Sequence, residues 1–416
     1  MNGHVVGVLG ASGMVGQGAA VQLRRLGADR LRLGARRPDA LRRLVGGRLD
    51  GHGEVRPADA TDPESLAAFC TGCDIVINCA GPTYQLKETV AAAAVAAGAH
   101  CVDVAGDDPA HERMVARGLA GTDRAVVFSA GVLPGLSSIV PRWMARAFER
   151  PATLTAHVGG REPCSPVVAA DMLLSLRTGG ADGAAFGEAL AAWRAGRRRS
   201  RVLRATERNR VPGFPGLVAA TPFLSAETER LARALALTDV DWFNVHPGSA
   251  VRAEMLRLPH YLTEAAGPAG AVDPTSTTAG TGAGESFGVR LARAAELDLA
   301  GRSPFYAMAF AMTGRAAGGP AGRTVLLRTP SSYHLTGLVG ALAAQHVLAG
   351  DVPPGLHFAA DVLDPELIVD GLHAASASLA LSLTVSDTAP ARGDSRSPAD
   401  AGPDLSAEDL VEEGVL

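Results

Sequence analysis

The chain has 416 residues, 47% of them hydrophobic and 20% charged, with a formal net charge of −4. That length holds two domains with full hydrophobic cores, and no long basic run offers a nucleic-acid footprint. No uninterrupted apolar stretch reaches the ~20 residues of a membrane span, and no charged-then-apolar leader precedes the first strand, so a cytoplasmic protein acting on a small molecule is expected.

In chain order, His4 to Leu9 forms an apolar strand that runs into Gly10, Ala11, Ser12, Gly13, Met14, Val15 and Gly16, and a helix follows to Leu26. Glycines at G-x-x-G-x-x-G spacing between a strand and a helix expose backbone N–H groups. The helix N-terminus adds positive partial charge there, so a pyrophosphate is the expected ligand of Gly10, Ser12, Gly13, Met14, Val15 and Gly16. Arg30 to Ala35 reads as a second strand ending at Arg36 and Arg37. An acidic residue at this point takes ribose hydroxyls, whereas arginine suits a 2′-phosphate, so NADPH/NADP is the expected cofactor.

Glu54 to Asp59 reads as a short third strand, with Asp59 and Ala60 near the nucleotide, and Asp62 caps a helix that has Pro63 at its first position. Asp74 to Pro82 is a fourth strand whose small-residue end, Asn78, Ala80, Gly81 and Pro82, is placed under the ribose and nicotinamide. An alanine-rich helix from Thr89 to Gly98 precedes the strand His100 to Val104. Ala125 to Phe128 then enters the turn Ser129 to Gly135, whose Gly131 completes the cofactor set.

The Gly10-to-Gly16 turn, Asp59-Ala60-Thr61-Asp62, Asn78-Cys79-Ala80-Gly81-Pro82, Val102-Asp103-Val104-Ala105-Gly106, Gly131-Val132-Leu133-Pro134-Gly135-Leu136 and Ser332-Tyr333-His334-Leu335-Thr336-Gly337 together resemble the saccharopine dehydrogenase-like (saccharopine reductase) family. The resemblance covers about the first 140 residues well and roughly 325–370 moderately. It implies an α/β chain: an N-terminal Rossmann domain, a doubly wound parallel sheet, with a second α/β domain inserted before the chain returns to the first. The family often has Gly-Glu after the fifth strand, whereas this chain has Gly106-Asp107, which shortens the carboxylate's reach. The expected boundaries are 1–137 for the NADP-binding domain, 138–328 for a substrate and dimerisation domain, 329–385 for the returning segment and 386–416 for a disordered acidic tail with a helical turn at Ser406 to Leu410.

In the middle, strands are expected at Thr153 to Val158, Asp241 to His246, Phe305 to Phe310 and Arg323 to Arg328, and a helix at Tyr333 to Leu348. The cluster Arg197-Arg198-Arg199 reads as a solvated helix end. Arg161 and Arg252 sit at strand-to-loop transitions where they either recognise a substrate carboxylate or form surface ion pairs. His246 is a proton donor or a structural histidine, and Asp103 orients substrate or binds backbone. Tyr84 packs against the nicotinamide or into the core.

Three functions compete. One is NADPH-dependent reduction of a C=N bond in an amino-acid-derived substrate, in a specialised biosynthetic pathway and as a homodimer. The second is enoyl (C=C) or semialdehyde reduction, the last requiring a nucleophilic cysteine for which Cys164 is the candidate. The third is a non-catalytic NADP(H) sensor. Five cysteines include Cys70-x-x-Cys73 without a second pair, so no metal is expected, and Lys87 is the only lysine, which argues against Schiff-base chemistry.

Overall fold

Local sequence rules build the first sheet of this computed structural model, which describes residues 1–165, 167–172, 186–257 and 286–388. Strands β1 (Val5–Leu9), β2 (Arg30–Ala35), β3 (Glu54–Pro57), β4 (Ile75–Asn78), β5 (His100–Asp103) and β6 (Ala125–Phe128) alternate with helices. Near-continuous burial of β1, β4 and β6 matches a parallel sheet covered on both faces. The Met14–Arg25 helix follows β1 directly, and Asp62 accepts from the N–H groups of Glu64 and Ser65 as the expected cap.

The second sheet begins at β7 (Arg150–Arg161) and continues through β8 (Gly187–Ala189), β9 (Ala192–Arg194), β10 (Arg197–Arg199), β11 (Thr206–Asn209), β12 (Val218–Ser225), β13 (Asp239–His246), β14 (Phe305–Ala316) and β15 (Gly319–Thr329). All four strands expected here lie inside observed ones. The arginine cluster does not end a helix: it is β10, an exposed edge strand paired antiparallel with β9. Its Arg198 reaches Glu229 on the Ala226–Ala234 helix, and charged side chains are what a short sheet edge carries.

After β15 the Ser332–Ala349 helix packs on the Met14–Arg25 helix. The returning segment then divides. Strand β16 (Gly355–Phe358) pairs with β6, giving a seven-stranded parallel sheet in the order β16-β6-β5-β4-β1-β2-β3. Strand β17 (Ser382–Thr388) instead joins β15 in the ten-stranded second sheet. Residues 386–388 of the expected tail are thus strand. The remainder, with the turn expected at Ser406 to Leu410, lies outside the described residues.

One hydrophobic core runs through both sheets, from Val6, Val8 and Ile77 to Leu154, Met308 and Phe310. Among the described residues no helix is long and apolar enough to cross a membrane.

Candidate active site

The glycine turn is shaped by close approach. Gly10 has φ +79, and a Cβ there would stand 2.6 Å from the Cys79 carbonyl oxygen. A Cβ on Gly16 would stand 2.6 Å from Ala11 Cα. The turn closes through Gly13 N–H donating to Gly10 O at 3.0 Å, which leaves the start of the Met14–Arg25 helix facing the end of β4. The first N–H groups of a helix have no partner inside it, so this cradle fits a dinucleotide pyrophosphate.

Arg36 and Arg37 are exposed just beyond β2, and neither forms an ion pair among the described residues. Asp59 accepts from Thr61 N–H at 2.9 Å and Thr61 Oγ1 at 2.8 Å. These bonds, with a smaller contribution from Arg36, hold its carboxyl below the ordinary range. A free cation at the ribose end favours a 2′-phosphate. Arg36→Ala is expected to weaken NADPH binding roughly tenfold or more and to change NADH binding less than about twofold, as read by fluorescence titration.

Asp103 is held by its own neighbours. It is buried, its Oδ2 accepts from Asn78 Nδ2 at 2.8 Å, and its Oδ1 accepts from the N–H groups of Ala105 and Gly106 at 3.0 and 2.6 Å. Asn78 Oδ1 accepts in turn from Ala80 N–H at 3.0 Å. Asp103 therefore ties the ends of β4 and β5 together: the backbone-binding alternative describes it. Burial raises its pKa against these bonds.

The next carboxyl, Asp107, has the shortened reach noted in the sequence but is not among the site residues expected from it. Asp107 is buried, its Oδ1 lies 3.1 Å from Arg230 Nη2, and its Oδ2 is buried with no hydrogen-bond partner. Asp108 pairs with the same guanidinium, which stacks 3.8 Å from the Phe358 ring centre. Glu227 is also buried and accepts from Gly135 N–H at 2.9 Å and from Ser137 Oγ. Desolvation pushes Asp107 and Glu227 upward, and Asp108 raises Asp107 further. No local pattern announces this group, because Arg230 and Glu227 come from a helix more than a hundred residues downstream.

Tyr84 stands in the short Thr83–Leu86 helix after β4 and is partly buried. Burial raises its phenol pKa, and the charges acting on it are those of Asp107, Asp171, Asp108 and Glu227. Its backbone N–H donates to Asp171 Oδ1 at 3.1 Å, and its ring meets Phe186 edge-on. Asp171 itself is pushed up to about 7 by burial. A Cβ on Gly81 would meet Asp171 Oδ2 at 3.3 Å, which brings residues 167–172 against the end of β4.

The remaining candidates lie elsewhere. Burial pushes His246 down to about 4, so its ring is neutral at pH 7 and is not a cationic acid there. Arg252 is paired with Glu207, the surface ion-pair alternative. Arg161 is over the Phe305 ring, on the sheet face opposite the nucleotide half. Burial pushes Cys164 up to about 12, which leaves it a thiol and a poor nucleophile at neutral pH. Among the described residues no His, Cys, Asp or Glu cluster could hold a metal.

Residues 6–121 match the family described as the saccharopine dehydrogenase NADP binding domain. The fold is similar to that of apo histidine-tagged saccharopine dehydrogenase (L-Glu forming) from Saccharomyces cerevisiae, at TM-score 0.63 and 16% identity, covering 93% of this chain and 100% of that one. A partial likeness links it to a putative exported protein from Burkholderia pseudomallei, at TM-score 0.21 and 26% identity over 25% of this chain and 49% of that one. The nucleotide cradle thus lies in a segment that matches the saccharopine dehydrogenase NADP binding domain, and the chain as a whole shares the fold of the yeast protein.

Proposed function

We propose that this protein reduces the C=N bond of an amino-acid-derived imine with NADPH, as a cytoplasmic homodimer in a specialised biosynthetic pathway. The observation that carries the reading is the buried Asp107 carboxyl, just beyond the end of β5, with one oxygen unpartnered. When bound, NADPH supplies the hydride. The chain's own residues then have to hold the substrate, exclude water and deliver a proton to nitrogen.

Asp107 meets the last need. Raised by desolvation, its carboxyl keeps its proton to higher pH than an exposed aspartate. Tyr84 stays a neutral phenol and can orient the substrate nitrogen without adding charge. Arg230 fixes Asp107 through Oδ1, which leaves Oδ2 to act. Asp103 acts one step back, by shaping the turn on which Gly106 and Asp107 stand.

The test compares two variants under NADPH oxidation with imines formed from amino acids and small carbonyl compounds. Asp107→Asn is expected to lower kcat by about 10²–10⁴, the range for removing a positioned acid. His246→Gln is expected to keep kcat and the acid limb of the pH profile within about twofold, because His246 is already neutral. An Asp107→Asn enzyme with wild-type kcat, or loss of activity in His246→Gln alone, would sink the assignment.

A further inference from the structure

Arg161 closes β7 and pairs across the sheet with Phe305, the first residue of β14. Its guanidinium carbon lies 5.5 Å from the Phe305 ring centre. Arg328 lies opposite Ala307, and its guanidinium carbon is 5.1 Å from the same ring. By strand alternation the three side chains share one sheet face. Phe305 and Ala307 cluster there with Val211, Phe214 and Val245. Their neighbours Tyr306 and Met308 point the other way, into the core shared with Leu335 and Leu338.

Charge at this place is unbalanced. Neither Arg161 nor Arg328 forms an ion pair among the described residues. Arg161 Nε is buried without a hydrogen-bond partner. The acid acting on Arg161 is Asp298, whose two oxygens already accept from Ala250 and Val251 N–H at 3.0 and 2.8 Å, while Arg302 adds positive charge. Guanidinium forks without acceptors favour an oxyanion, and stacking on an aromatic ring holds their planes in place. Phe305 is itself buried, so it orients the guanidiniums and a ligand would meet their outward N–H groups.

We propose that Arg161 and Arg328, held by Phe305, form a binding site for a small oxyanion, a carboxylate or a phosphate, on the outer face of the second sheet and apart from the nucleotide cleft. The test follows thermal unfolding of the full chain with succinate and, separately, inorganic phosphate at constant ionic strength. A saturable rise in midpoint is expected with at least one of them, and whichever acts identifies the group. In Arg161→Gln/Arg328→Gln the apparent affinity is expected to fall roughly tenfold or more. Arg328→Gln alone gives the same direction should the double variant fold poorly.

Arg36→Gln separates this site from the cofactor cradle, which also suits phosphate. A rise lost in Arg36→Gln but kept in the double variant overturns the proposal, as does the absence of any saturable rise. NADPH titration of the double variant should match wild type. A wild-type chain that fails to bind NADPH but still responds to the anion would refute the cofactor reading and leave this one standing.

Discussion

Gly10→Ala is expected to abolish NADPH binding within the range of a fluorescence titration and to lower stability by about 2–5 kcal/mol. Two costs add. A non-glycine residue at φ +79 is strained by about 1–2 kcal/mol. The new methyl would also stand 2.6 Å from Cys79 O and 2.7 Å from Ala80 N, a backbone overlap of the kind that costs roughly 1–3 kcal/mol. Relief requires β1 and β4 to part at the end where the nucleotide sits. Denaturant unfolding reads the stability, and titration of the folded variant reads the affinity. Unchanged NADPH affinity would mean that the glycine turn does not carry the cofactor.

The second large effect concerns Arg230. Arg230→Met removes the cation that Asp107 and Asp108 share, and breaking a buried pair on one side typically costs about 3–5 kcal/mol. The cost should depend on pH with a definite sign. Asp107 and Glu227 have folded pKa values above their unfolded ones, and Arg230 moderates both. A raised carboxyl binds more protons in the folded state, so its contribution is full at low pH and is lost as pH rises through the folded value. Without Arg230 that loss deepens. Urea unfolding should show a larger gap between wild type and variant at pH 8 than at pH 5. An equal gap would place the cluster's charge outside the stability balance.

Features set by neighbours in sequence were legible in advance. The glycine turn, the Asp62 cap with Pro63 and the bounds of β2 depend on a few adjacent residues, and chain order alone lets β1 to β6 alternate with helices. Nothing local could bring Asp107 to Arg230, or distinguish it from Asp103, which ends β5 and commits one oxygen to Asn78 and the other to its own turn. Strands β8 to β11 escaped notice because segments of three or four residues are too short to show apolar alternation. The arginine cluster reads as a solvated helix end until its pairing with β9 is seen. His246 ends its strand as expected, yet its character is set by burial and by Arg252.

The division of the returning segment between β16 and β17 has a topological consequence. The chain passes between the two sheets three times, after β6, before β16 and again before β17. No single cut can therefore excise the nucleotide-binding half intact. A fragment ending before β7 would lack β16 and leave β6 as a naked, fully buried-type edge, open to pairing with other chains. The halves of this protein are woven rather than strung, so swapping the half built on the second sheet would require two grafted segments.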